Sequence, residues 1–345
     1  MRPYQEREGR KAARMAENLG KAFGVVPLFD PAEGMVVRQP PGEGPGWWAG
    51  APCATFDTAA NTFYLTYRQR YPRDEGRGIE CRIAYSDNGI SFTDIWALPK
   101  GSLNALSVER AALLRGLDGR WRLYIGYVGA DDHLWRIALL EADEPDAFDI
   151  ATLTPLLTAA QIGGEGVKDP NVFLIGRMYY LLASYATAEP NLPPEAQARK
   201  HETADIYSTG LTRSRTCAAI SGDGRHFQYL GDVSPISHAP TPAWDAYCAR
   251  IGALAPLETG GFLAFYDGSA SVAENYEEKT GLAITFDLRT YYSLSPQGPA
   301  LVSPYSSGSL RYLDILPVGH ELFYYYEMAR PDGAHELRVS VVERS

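Results

Sequence analysis

The chain has 345 residues, 45% hydrophobic and 21% charged, which is enough apolar material for one large all-β domain or two average ones. Its formal net charge of −10 supplies no broad positive field, which argues against a nucleic-acid partner, and no run is long and apolar enough to suggest a membrane span. The first residues lack an apolar core of signal-peptide length, and Cys53, Cys81, Cys217 and Cys248 are widely spaced with no CxxC and no histidine pair; buried thiols, no metal, no cofactor and a cytoplasmic location are expected.

From Tyr4 to Phe23 the chain is rich in Glu, Arg, Lys and Ala, with Ala13, Met15, Leu19 and Phe23 loosely at helical spacing, so residues 1–24 are expected to form a helical extension that packs on the rim or mediates a homo-oligomer. Residues 25–345 read as one domain of short strands rich in Tyr, Val, Ile and Leu, cut by Gly, Pro, Asp and Asn. The run GVVPLF, with GMVVRQ after it, is suited to closing a ring of strands against the last unit, which would remove exposed sheet edges.

The remaining runs repeat. Five units open at GAPCATF, VERAALL, VKDPNVF, YCARIGAL and YLDILPV; their second strands are TFYLTYR, WRLYIGYV, MYYLLASY, FLAFYDG and LFYYYEM. Their third strands include CRIAYS, WRIALLEA, IYSTGLTR, TGLAITFD and ELRVSVV. A repeat of roughly 60 residues that fills the chain fits a five-bladed β-propeller whose blades carry insertions. A β-sandwich with irregular hairpins is the alternative. The Asp-Asn-Gly-Ile-Ser-Phe run at 87–92 and the Gly-Asp-Gly-Arg-His-Phe run at 222–227 read as turns that end third strands.

In a propeller the starts of the inner strands and the loops joining second to third strands meet at one end of the channel. That brings together Ala51-Pro52, Glu109-Arg110, Asp169-Pro170, Ala249-Arg250 and Leu313-Asp314, with Arg68, Arg70, Arg73 and Arg77 from the first loop, Glu189 to His201 from the third and Glu274 to Glu278 from the fourth. Carboxylates, arginines and aromatic faces are the equipment of sugar chemistry, which needs one carboxylic acid to protonate the departing glycosidic oxygen and another to activate water or attack the anomeric carbon.

Val167-Lys168-Asp169-Pro170 followed by an aromatic strand resembles the DP strand of the five-bladed arabinanase, xylosidase, invertase and mannoside-phosphorylase group. Phe265-Tyr266-Asp267-Gly268 followed by Thr280-Gly281-Leu282-Ala283 is similar to the fourth-blade hairpin of the phosphorylase branch. The resemblance implies a glycosidase acting through the channel, and it transfers most securely to Asp169, as the residue that positions the sugar and tunes the acid. It also exposes a departure: those enzymes carry an aspartate on the inner strand of the first blade, where this chain has Gly50-Ala51-Pro52.

The catalytic carboxylates are therefore sought among Glu109, Asp169 and Glu278, with Glu278 preferred to Glu277 as the general acid. Sugar contacts are expected from Trp47, Trp48, Arg68, Arg110, Asp245, Arg250, Asp267, Tyr276, Glu277 and Asp314. Each has a plainer reading: Glu109-Arg110 as an ion pair between blades, Asp169 as a turn cap, the glutamates of the fourth loop as solvated charge, and the first-loop arginines either as a solvated turn or as a seat for carboxylate or phosphate. A glycoside phosphorylase and a non-catalytic carbohydrate-binding propeller stand as the rival functions.

Overall fold

Runs that mix small residues with branched and aromatic ones, each closed by a Gly or Asp turn, pair with the next run instead of coiling into helix. The computed structural model describes residues 24–237 and 243–344. The helix expected over Tyr4–Phe23, and the oligomer contact assigned to it, lie outside the described residues. Within them are 20 strands and two short α-helices, Ala159–Ile162 and Pro194–Arg199.

The strands fall into antiparallel meanders. The first comprises β2 (Trp48–Asp57), β3 (Thr62–Arg70), β4 (Gly78–Ser86) and β5 (Thr93–Pro99), and the strand before it is β1 (Met35–Arg38). The second comprises β6 (Ala105–Arg115), β7 (Trp121–Gly129), β8 (Trp135–Ala142) and β9 (Thr154–Thr158). The third is β10 (Gly166–Ile175), β11 (Met178–Ala186), β12 (Ser214–Ser221) and β13 (Gln228–Asp232), and the fourth β14 (Cys248–Pro256), β15 (Phe262–Ser269), β16 (Lys279–Thr285) and β17 (Tyr292–Ser293). The last is β18 (Leu310–Val318), β19 (Glu321–Ala329) and β20 (His335–Glu343), to which β1 adds antiparallel as the outer strand. The early run Met35–Arg38 thus closes the last meander, as expected; GVVPLF forms no strand, and its Phe29 instead packs its ring on Tyr324 and Tyr326.

Apolar cores lie between meanders adjacent in sequence: Cys81 and Ile83 meet Leu123, Tyr124 and Ile137 meet Leu181, Tyr180 meets Ile251 and Tyr266, and Phe265 meets Leu313 and Tyr324. A further core joins Phe63 and Leu65 of the first meander to Phe323 and Val339 of the last, so the packing is cyclic. All four cysteines are buried free thiols.

One expected strand is displaced. IYSTGLTR lies in the long connection between β11 and β12, with a 3-10 turn at Ile206–Ser208 and Gly210 at φ +74°; the third strand is the next run, Ser214–Ser221. That run, SRTCAAIS, carries little branched bulk of its own because it is packed between β11 and β13, where small residues suffice.

The turns after the third strands share one construction. Ser86 Oγ accepts from the N–H of Asn88 and Gly89 while Asn88 Oδ1 accepts from Ile90 and Ser91; Ser221 and Asp223 do the same for the turn at 222–226. A third copy, built on Thr285 and Asp287, escaped sequence reading because Leu288 stands at the left-handed position where the others have glycine. Each turn is tied to the neighbouring meander by a tyrosine hydroxyl: Tyr325 donates to Gly89 O (2.8 Å), Tyr124 to Gly224 O (2.9 Å) and Tyr180 to Leu288 O (2.6 Å).

Candidate active site

Inner strands β2, β6, β10 and β18 each skip two residues in their pairing with the next strand, between Gly50 and Cys53, Val108 and Ala111, Lys168 and Asn171, and Arg311 and Asp314. Such a bulge re-aims the unpaired side chains. It places Ala51, Glu109, Asp169 and Tyr312 at equivalent positions, and Ala51, Asp169 and Tyr312 all have φ between +51° and +54°. The expected alignment of Leu313-Asp314 with Asp169-Pro170 is therefore corrected by one residue, since a bulge cannot be counted from strand alternation. Asp314 falls deeper, where it pairs with Arg110 (3.3 Å) and accepts hydrogen bonds from Asn171 Nδ2 and the Ala54 N–H.

Around Tyr312 the charged groups form one buried network. Arg250 reaches Asp169 (3.6 Å), Asp267 (3.2 Å) and Glu278 (3.1 Å); Arg311 reaches Glu278 (2.8 Å) and Glu327 (2.7 Å); Arg68 joins Glu327 (3.2 Å) to Glu109 (2.6 Å), and Arg70 takes the other oxygen of Glu109 (3.0 Å). The guanidiniums of Arg68, Arg250 and Arg311 lie against the Tyr312 ring, and those of Arg68, Arg70 and Arg311 against Trp48. Tyr312 itself donates its N–H to Asp267 (2.9 Å) and its hydroxyl to Asp169 (3.3 Å), so it stands between these two carboxylates.

The first meander's missing carboxylate has a structural counterpart. A side chain at Gly50 would put its Cβ 2.1 Å from Glu327 Oε2, and that oxygen accepts the Ala51 N–H at 3.1 Å. Glu327, from β19, thus fills the space beside the first inner strand. Sequence reading missed it, although a glutamate between Tyr326 and Met328 in an apolar strand is a signal, because a buried charge must be paired. Arg311, Tyr312 and His335 were also missed; Arg70 was expected among the first-loop arginines, and Lys168 only as part of the Val167-Lys168-Asp169-Pro170 run. His335 bonds Glu327 (2.8 Å) and Glu277 (3.1 Å) and stacks on Trp48.

The carboxylates differ sharply in their readiness to hold a proton. Burial drives Glu109 upward, but Arg68, Lys168 and Arg70 overcome it and hold the group well below the ordinary range. Glu278 is likewise raised by burial and then lowered by Arg250 and Arg311, to about 2. Glu327 is held well below its ordinary value by Arg311 and Arg68 against the cost of burial. Asp267 goes the other way: burial, only partly opposed by Arg250 and reinforced by the charge of Glu278, raises it to about 6.

Asp169 differs in its bonding. Its Oδ2 is held by Lys168, Arg250 and Tyr312, while its Oδ1 is buried without a hydrogen-bond partner. Of the other expected residues, Trp48, Arg68, Glu109, Arg250, Asp267 and Glu278 belong to this network, and Arg110 and Asp314 to the layer beneath it. Tyr276, at φ +78°, lies over Arg70 and donates to Asp205 in the β11–β12 connection. Two residues lie elsewhere: Trp47 packs on Tyr71, and Asp245 accepts from the Tyr266 hydroxyl (2.9 Å) within the fourth meander. An open cleft of about 510 Å³ lies between the β11–β12 connection and the loop after β15, lined by Glu189, Leu192, Leu211, Arg213, Tyr247 and Val272 among others.

No protein-family model and no curated protein matches this chain. Solved structures do. A β-xylosidase, RS223, superposes with a TM-score of 0.60 at 10% identity over 91% of this chain and 96% of its own. A GH43_1 enzyme from Xanthomonas citri, solved with xylotriose, gives 0.59 at 11% identity over 90% and 92%. The β-1,2-mannobiose phosphorylase from Listeria innocua, solved with β-1,2-mannobiose, gives 0.56 at 16% over 89% and 92%. At these identities the likeness is one of fold: the chain has the fold of the β-propeller glycoside hydrolases.

Proposed function

We propose that this protein is a glycosidase in which Asp267 is the general acid and Asp169 the base or nucleophile, working from opposite sides of Tyr312 and Arg250 on a glycoside held at the channel end. The observation that carries the reading is the contrast between Asp267, raised to about 6, and the carboxylates around it that arginines keep ionised. Environments that push neighbouring carboxyl groups apart in this way are how one site provides both an acid and a base near neutral pH.

The bonding supports the division of labour. A base needs a free lone pair, which Asp169 Oδ1 has, whereas both oxygens of Glu109 and Glu327 are committed to cations; Glu278 also keeps one oxygen without a hydrogen bond, but it lies between Arg250 and Arg311, which hold its pKa low. Those three glutamates brace the arginines. We read the meanders as the blades of a five-bladed propeller, with the cleft between the third and fourth taking the part of the substrate beyond the cleaved bond. The xylosidase, GH43_1 and phosphorylase neighbours support glycoside chemistry as the class of reaction; a cytoplasmic setting is in keeping with four buried free thiols.

One observation favours a non-catalytic carbohydrate-binding propeller instead: at the first meander the carboxylate is Glu327, locked by Arg311, Arg68 and His335. Hydrolysis of a panel of aryl pyranosides and furanosides, uronides included, by the wild type, Asp169→Asn and Asp267→Asn separates the two. The glycosidase reading expects cleavage of at least one substrate and a loss of about 10²-fold or more in kcat for each folded variant. Sugar binding without cleavage across the panel establishes the binding protein.

A further inference from the structure

We infer that the glycoside recognised here carries a carboxylate, and that Arg68, Arg70 and Trp48 are its seat; the inference rests on the carbohydrate reading above and narrows its substrate class. Arg68 and Arg70 are two apart on β3, so their side chains leave the same face of the strand. Each gives one edge of its guanidinium to Glu109, and both lie against Trp48, at 5.6 and 4.5 Å from the ring centre.

Single nitrogens on the far sides are unmatched, Arg68 Nη2 being turned to Glu327. Arg68 Nη1, Arg70 Nε and Trp48 Nε1 are buried and have no acceptor, although the three residues are 1%, 3% and 4% exposed. Buried N–H groups without acceptors are costly, so the place is built short of acceptors. The neighbouring carboxylates have none to spare: Glu109 uses both oxygens on these arginines, and Glu327 is shared among Arg311, Arg68, His335 and the Ala51 N–H.

A sugar hydroxyl would bring a donor with every acceptor. A carboxylate brings acceptors alone, together with a charge and a planar shape that matches a guanidinium edge. The approach is basic as well. Tyr276 covers Arg70 from outside, and its partner Asp205 stands 3.7 Å from Arg77 and 3.9 Å from Arg73, which is half exposed, so an anion entering past Tyr276 meets further arginines in turn.

Calorimetric titration of the full chain with methyl glucuronide and methyl galacturonide, each against its neutral methyl glucoside or galactoside, and with inorganic phosphate, tests this. The expected result is that a uronide binds at least tenfold more tightly than its neutral partner, that Arg70→Met removes this margin, and that Trp48→Phe, which keeps a ring but loses the N–H, narrows it severalfold. Equal affinity for uronide and neutral sugar, or an unchanged margin in both folded variants, overturns the carboxylate seat and leaves the carbohydrate reading standing. Phosphate binding in competition with a neutral sugar, with no preference for uronides, overturns it in favour of a phosphate site. No binding of either kind of sugar overturns both.

Discussion

Replacing Asp267 by asparagine tests the acid assignment through stability as well as rate. In the unfolded chain this carboxyl titrates near its ordinary value of 3.8, and in the folded protein at about 6. It binds its proton more tightly when folded, so the protonated group favours the native state below the unfolded value, and that contribution is lost as the pH rises through about 6. The gap corresponds to about 3 kcal/mol in total, at about 1.4 kcal/mol per pH unit. Asparagine keeps a carbonyl oxygen for the Tyr312 N–H and does not titrate, while Arg250 retains Asp169 and Glu278. Urea unfolding at a series of pH values should therefore show the wild type losing about 2–3 kcal/mol relative to Asp267→Asn between pH 4 and pH 7. In the same window wild-type kcat should fall on the alkaline side of about 6, and the variant should be slower by about 10²–10⁴-fold. A stability difference that is flat across this range would refute the raised carboxyl, and an unimpaired variant rate would refute its role as the acid.

Three further outcomes follow from the geometry. Asp169→Asn, in which asparagine tolerates the left-handed backbone but leaves buried Lys168 without its ion-pair partner, should fold with reduced stability and lose about 10²-fold or more of kcat, whereas Asp169→Val should lower Tm further because a branched side chain resists φ +54°. Tyr124→Phe, Tyr180→Phe and Tyr325→Phe should each cost about 1–3 kcal/mol in denaturant unfolding by leaving a turn carbonyl without its donor, and the costs should add, since the three turns are separate. Gly50→Ala should destabilise by at least about 1–3 kcal/mol because its Cβ meets the Glu327 carboxylate, and a Gly50→Ala/Glu327→Ala cycle should show coupling between the two sites.

Much of the fold was legible because strand and turn chemistry are local. Fourteen of the fifteen expected strand segments coincide with strands of the structure, among them TFYLTYR in β3, MYYLLASY in β11 and LFYYYEM in β19. The exception, IYSTGLTR, has the branched and aromatic residues of a strand, yet Ile206 and Tyr207 bury themselves against Trp135 and Val128 at the side of the second meander, so an apolar contact distant in sequence decided the matter. The outer strands were less visible, because an edge run such as TPLLT or QYLGD owes its conformation to the neighbour it pairs with.

At the candidate site the sequence by itself determined which segments would meet: repetition of a unit and closure of a ring bring Glu109, Asp169, Arg250 and the fourth loop to one end. It did not determine which carboxylate can hold a proton. Glu278 and Asp267 are both acidic residues of the fourth meander, and what separates them is that Glu278 lies between Arg250 and Arg311 while Asp267 shares Arg250 with a charged neighbour in a buried setting. Nor could it show that Glu327 fills the space beside Gly50, or that bulges move Tyr312 into line with Asp169. Strand pattern is written in neighbouring residues; proton affinity depends on burial and on charges a few ångströms away in space, and those distances exist only once the chain has closed.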